Sequence, residues 1–206
     1  MSEFRITDRD KKIIREIDRW RVCQGRHLMY LAGFDGQRAC DRRLHKLIEM
    51  GYVSRKRIIY GIAGIYKNTS RVRPFSHVSN EKIRIEHLKH DIMVLDTAIY
   101  YNKQGIPFDD IVTEKELHMR DGFGLRKHKP DFIFTKGNQT ICVEVELALK
   151  SKVRFLNIIK NNFMDYDTQI WVVPSHNSKI ARILKENQTA YPNIDIVEVK
   201  EIQDDE

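Results

Sequence analysis

Cysteine is scarce in this chain. Cys23, Cys40 and Cys142 are its three cysteines, and none stands at a paired spacing. That argues against a disulfide scaffold or a zinc site and fits a reducing, cytoplasmic setting. Long apolar runs are also missing. No stretch approaches the ~20 residues of a spanning helix, so no membrane partner is expected. The opening Met-Ser-Glu-Phe-Arg lacks the apolar core of a signal peptide. What is present is ordinary for a globular chain: 206 residues, 41% hydrophobic and 32% charged, which excludes wholesale disorder.

The net charge of +7 is unevenly spread. Residues 1–80 hold 18 Lys and Arg against 8 Asp and Glu, a net of +10, and the remainder nets −3. A basic half attracts a polyanion. Within it, Thr7 is placed to cap a helix over roughly 8–21, on which Ile13, Ile14, Ile17 and Trp20 recur at helical spacing. A short second helix is expected over 25–33. A third, over about 37–50, turns Ala39, Leu44, Leu47 and Ile48 inward and shows Arg38, Arg42, Arg43 and Lys46 on its other face, with Gly51 at its C-terminal cap. Two β-rich runs, Tyr52–Tyr60 and Gly64–Tyr66, flank the turn Gly61-Ile62-Ala63-Gly64. Helix, helix, basic helix, hairpin is the order of a winged helix-turn-helix. Its third helix would enter the major groove of double-stranded DNA, and Arg55, Lys56 and Arg57 would meet phosphates. The competing reading is a three-helix bundle with a solvated basic surface. The polar stretch after residue 68 predicts a linker, placing one domain at 1–70, the linker at 71–80 and a second domain at 81–203.

The second half predicts an α/β domain with a mixed sheet. A helix is expected over 81–103, with Ile83, Ile85, Leu88, Ile92, Leu95 and Ile99 apolar. A strand over 109–119, a basic loop from Asp121 to Lys129, and a hairpin of Asp131–Lys136 and Thr140–Leu147 about Gly137-Asn138-Gln139 follow. Helices over 150–164 and 177–187 then alternate with strands at Gln169–Val173 and Ile194–Val199. Glu144 and Glu146, two apart on one strand, share a face, and Asp131 opens the neighbouring strand. Three carboxylates converging in an apolar hairpin repel one another and are costly to bury. A hard cation such as Mg²⁺ or Mn²⁺ resolves the conflict, so these three are the candidate catalytic and metal-binding residues, with Glu146 a third ligand or a general base. An alternating strand with its polar face in water is the competing reading. His87 and His90 are more readily packing residues than ligands, Tyr100 and Tyr101 end an amphipathic helix, and Cys142 points into a core.

Pro130-Asp131 followed by Glu144-Val145-Glu146 resembles the PD-(D/E)xK nuclease motif. The resemblance maps the family's aspartate onto Asp131, its acidic residue onto Glu144 and its lysine position onto Glu146, leaving Lys150 or Lys152 to supply positive charge. An additional upstream acid maps to Glu86, Asp91 or Asp96, with Glu114 a rival ligand. Over nearly the whole chain, Thr7-Asp8-Arg9-Asp10, Arg42-Arg43-Leu44, Glu49-Met50-Gly51-Tyr52, His87-Leu88-Lys89-His90-Asp91 and Thr113-Glu114 join that motif. The arrangement resembles the replication-relaxation family and MobC-type plasmid relaxases, which join a winged helix to a restriction-endonuclease-like domain. The resemblance implies a metal-dependent DNA nickase or relaxase acting at a transfer or replication origin of a mobile element, alongside other mobilization or replication proteins. The alternative is a non-catalytic replication or transcription regulator with a degenerate nuclease-like domain.

Overall fold

The structure, a computed structural model, describes residues 5–74, 76, 84–121, 128–149 and 151–204. Among them the chain is mixed α/β, with eight α-helices and two sheets, one antiparallel and one mixed. It forms two compact units, 1–95 and 96–206.

The first unit begins with α1 (Asp8–Arg19), started by a reciprocal cap: the Asp10 N–H donates to Thr7 Oγ1 and the Thr7 N–H to Asp10 Oδ2. Its stripe of Ile13, Ile14, Ile17 and Trp20 is buried. A two-residue strand, β1 (Cys23–Gln24), precedes α2 (Gly25–Leu31) and α3 (Gln37–Glu49). Gly51, at φ +70°, ends α3. The Tyr52 N–H donates to Leu47 O and the Gly51 N–H to Ile48 O, which satisfies the last carbonyls of the helix. The strands β2 (Val53–Lys56) and β3 (Ile65–Asn68) pair antiparallel, Arg55 opposite Tyr66, and β1 adds to the far side of β3.

The first β-rich run is shorter than its composition predicts. Past Lys56 the side chains of Ile58, Ile59 and Ile62 pack as a loop against Val22, Ile65, Leu88 and Ile92, so their burial follows the loop and not a strand's alternation. The run at Gly64–Tyr66 instead extends to Asn68. Where the linker is expected to begin, Thr69 caps a 3-10 turn, Ser70–Val72, in which Val72 is fully buried, and the two compact units divide between Leu95 and Asp96. That point lies within α4 (Leu88–Lys103). Ile85, expected on the apolar face of this helix, sits in the preceding 3-10 turn and is exposed. Residues 75 and 77–83, half of the expected linker and the expected helix start, lie outside the described residues.

In the second unit the strand expected over 109–119 is instead a 3-10 turn, Phe108–Asp110, then β4 (Val112–Thr113), then α5 (Glu114–Arg120). The sequence Thr-Glu-Lys-Glu explains the helix. Thr113 Oγ1 accepts from the Glu116 N–H while Glu116 Oε2 accepts from the Thr113 N–H at 2.7 Å, and acidic residues lead into basic ones along the helix, as the dipole favours. Then come β5 (Phe132–Lys136), β6 (Gln139–Val145), α6 (Lys152–Asp165), β7 (Thr168–Val173), α7 (Lys179–Asn187), β8 (Ile194–Glu198) and α8 (Val199–Gln203). The sheet order is β4-β5-β6-β7-β8, antiparallel through β6 and parallel beyond it. Thus β6 is central, and Ile141 to Val145 are all buried, as expected of a strand covered on both faces. Phe155 of α6 packs on Trp171 of β7, ring centroids 4.8 Å apart, in a core completed by Ile159, Ile180, Leu184 and Ile194.

Candidate nucleic-acid face and buried carboxylate site

On the first unit, α3 buries Cys40, Leu44 and Leu47 and exposes Arg38, Arg42 and Lys46. Among the described residues no acidic side chain pairs with these three, nor with the exposed Lys56 that ends β2 and the exposed Arg57 that follows it. Arg55 is exposed but folds back along the hairpin, its guanidinium carbon 5.8 Å from the Tyr66 ring centroid. Arg43 departs from the expected exposed face. Its Nε donates to Asp10 Oδ1 at 2.6 Å, its Nη2 bonds the other carboxylate oxygen, and Nη2 also donates to Arg5 O. Burial would raise the Asp10 pKa, but the bonds from Arg43 and Thr7 outweigh it and hold the carboxyl below its usual value. The physical reason for the correction is position: Arg43 precedes Leu44 on the inward flank of α3, where a cation answers the fully buried Asp10.

On the second unit the register that pairs Phe132 with Val143 sets Asp131 at the rung of Glu144. Asp131 Oδ2 accepts from the Val145 N–H at 2.7 Å, and the Glu114 N–H donates to Asp131 O at 2.8 Å, fastening the start of α5 to the start of β5. Glu144 is 6% exposed. Its Oε1 is 2.7 Å from His128 Nε2 and accepts from Asn162 Nδ2 of α6 at 2.9 Å. Burial raises the Glu144 pKa, Asp131's negative charge adds to that, and the bonds from His128 and Asn162 oppose it, so the carboxyl stays above its usual value. Burial pulls the other way on His128 but is outweighed by Glu144, then by the charges of Asp131 and Glu114, so the imidazole holds its proton more tightly than usual. Glu114 also lies 3.6 Å from His118 Nε2.

Asp131, Glu144 and Glu114 therefore gather, but around a histidine. Glu146 stands one residue past β6, its N–H bonded to Val172 O, and Lys152 is exposed at the first residue of α6. Lys150, and Gly122 to Lys127 of the expected basic loop, lie outside the described residues. A divalent cation needs several oxygens turned to one point. Here Glu144 Oε1 takes two donors and Asp131 Oδ2 takes a backbone N–H. Among the described residues no three His, Cys, Asp or Glu side chains come together in a set that could hold an ion. As arranged, the residues do not fit Mg²⁺ or Mn²⁺. His128 and Asn162 were missed in the sequence reading. Asn162 left a trace: it falls on the buried stripe Phe155, Ile158, Ile159, Asn162, where a lone amide needs a buried partner.

The other residues weighed as chemistry are packed or paired. The His87 and His90 rings stand 6.5 Å apart, and His90 Nδ1 lies 3.1 Å from Asp91 Oδ1. Tyr101 is buried against Phe134, and burial pushes its phenol upward. Cys142 is buried, its thiol likewise raised. Among the described residues no helix is long and apolar enough to cross a membrane. No family model matches the chain, and neither does any curated protein or solved structure. The resemblance drawn from sequence rests on the residues quoted for it.

Proposed function

We propose that this chain binds double-stranded DNA through its first unit, with α3 as the recognition element of a winged helix and the segment after β2 as the wing. The observation that carries this reading is the set of exposed cations left without acidic partners among the described residues, Arg38, Arg42 and Lys46 on α3 and Lys56 and Arg57 at and just past the end of β2. The order α1-β1-α2-α3-β2-β3, with an antiparallel sheet, supports it. In the second unit, the strand order and the placement of Asp131 and Glu144 on one rung support a nuclease-like fold. The ionic partnership of Glu144 with His128 favours a non-catalytic role, in replication or transcription regulation or in assembly with other proteins at an origin.

Fluorescence anisotropy with a labelled duplex over a salt series tests the DNA reading. Affinity falls steeply with salt, and replacing Arg38, Arg42 and Lys46 together with Gln lowers the log–log slope by up to about 3, each lost phosphate contact contributing ~0.9. An unchanged slope removes α3 from the interface. Supercoiled plasmid incubated with Mg²⁺ or Mn²⁺ tests the second unit. The expectation is no nicking above background. Nicking that disappears in both Asp131→Ala and Glu144→Ala would restore the nickase or relaxase reading.

A further inference from the structure

A groove of about 520 Å³ runs between the first turn of α1 and α3, lined by Thr7, Arg9, Phe34, Ala39, Arg42 and Lys46, with Arg43 in its wall. Two local devices set its shape. The bond of Arg43 to Asp10 fastens the first turn of α1 to α3, so Arg9, the neighbour of Asp10, stands across the groove from Arg42 and Lys46. At the end of α2, Gly33 adopts φ +64°, which lets the Phe34 N–H donate to Met29 O at 3.0 Å and fixes where the ring stands. The Arg9 guanidinium carbon lies 4.7 Å from the Phe34 ring centroid. A planar cation stacked on an aromatic face is already ordered before any ligand arrives.

The groove has an apolar floor, Phe34 and Ala39, and cations on both rims. Among the described residues Arg9, Arg42 and Lys46 have no acidic partner, and Asp10, bonded to Arg43 of the groove wall, is buried and neutralised by it. We infer that this groove seats the sugar-phosphate backbone of one strand of duplex DNA, with Arg9 a phosphate contact held ready by Phe34. Deoxyribose suits the floor and successive phosphates suit the two rims. A stacked base suits it less, because Arg9 covers one face of Phe34. The inference rests on the DNA-binding reading above and extends the interface from α3 to the start of α1, a position that the run of basic residues on α3 does not indicate.

The test uses the full chain and a labelled duplex across a salt series. Arg9→Gln weakens binding several-fold, equally for unrelated duplex sequences, and lowers the log–log salt slope by about 1, as loss of one phosphate contact requires. Arg9→Lys restores most of the slope. Phe34→Ala, which leaves the charge and removes the stacking surface, weakens binding with little change in slope. Lys12→Gln, an exposed cation on α1 outside the groove, leaves both affinity and slope unchanged. Thermal melts of each variant confirm that the unit is folded. Wild-type affinity and slope in Arg9→Gln, alongside losses in Arg42→Gln, would overturn this inference and leave the DNA reading standing. Displacement of the duplex by a free deoxynucleoside monophosphate at micromolar concentration would also overturn it, making the groove a small-ligand pocket. Absence of salt-dependent binding by the wild-type chain would instead sink the parent reading.

Discussion

Removing His128 is the sharpest perturbation of the second unit. In His128→Ala, Glu144, 6% exposed in the wild type, keeps only the Asn162 amide of the two donors on its Oε1. Stripping one partner from a buried ion pair costs about 3–5 kcal/mol. Two features reduce that figure here. His128 is itself partly exposed, and Glu144 can take a proton instead of staying charged, each pKa unit being worth about 1.4 kcal/mol. A loss of about 2 kcal/mol at neutral pH is expected on that basis. Glu144→Gln, which keeps a hydrogen-bonding amide, costs about 1–2 kcal/mol. The double variant then loses less than the two singles together, by about 1 kcal/mol or more. The chain supplies the probe, since Trp20 and Trp171 are its two tryptophans, one in each unit. In a Trp20→Phe background, urea unfolding followed by Trp171 fluorescence reports the second unit. The pH dependence has a definite sign. Both folded-state pKa values are raised, so the folded unit binds more protons than the unfolded chain. The His128 contribution is full below its usual value of about 6.5 and fades as pH rises through the raised one, and the Glu144 contribution falls in the same direction from its usual value upward. The midpoint therefore drops as pH rises from about 5 to 8, and the double variant flattens that drop. Single-mutant losses that add within ~0.5 kcal/mol, with an unaltered pH profile, would refute the coupling. A Mn²⁺-induced rise in the wild-type midpoint that requires Asp131 would show a cation displacing His128 and bring back the metal reading.

Two more expectations concern local devices. Arg43→Met leaves Asp10 with only its Thr7 bonds and costs about 3 kcal/mol in the first unit at neutral pH, as read by Trp20 in a Trp171→Phe background, a deficit that shrinks on acidification. In the wild type the lowered Asp10 pKa contributes stability that is present above the usual carboxyl value and lost as pH falls through the lowered one, so a deficit of equal size at acid and neutral pH would refute the assignment. Thr113→Ala breaks the reciprocal cap of α5 and costs about 1 kcal/mol in the second unit, whereas Thr113→Ser retains it.

The helices of the first unit were legible because their signals are local: the Thr7 cap, the Ile13–Ile14–Ile17–Trp20 stripe and the Gly51 stop all lie within one turn of what they control. The hairpin about Gly137-Asn138 was legible for the same reason, although Gln139 belongs to the strand and not the turn. The failures were of two kinds. In the strand expected over 109–119 only Ile111, Val112 and Thr113 are β-prone, and the Thr113–Glu116 cap, equally local, starts a helix immediately after them. At 57–60 Ile58 and Ile59 looked like strand because composition does not say whether side chains alternate across a sheet or fold together onto one cluster.

The carboxylates show why a motif fixes positions more readily than roles. Asp131 and Glu144 were expected on neighbouring strands and share a rung, because alternation and turn length carry that information. Whether such a pair holds a metal or an ion-pair partner depends on which donors reach it. Those donors come from His128, 16 residues before Glu144, and Asn162, 18 residues after it, on different elements. What distinguishes the two parts of the chain is net charge, +10 over residues 1–80 and −3 over the remainder. In the second, the Glu144 and Asp131 carboxylates meet donors of the same unit, and Lys129 pairs with Asp121. In the first, Arg43 is neutralised by Asp10, while Arg9, Arg38, Arg42 and Lys46 keep full charge with no acidic partner among the described residues. Uncompensated positive charge on an ordered surface attracts a polyanion, whereas charge satisfied internally chiefly holds its own fold. That difference is why DNA binding is proposed for the first unit and not for the second.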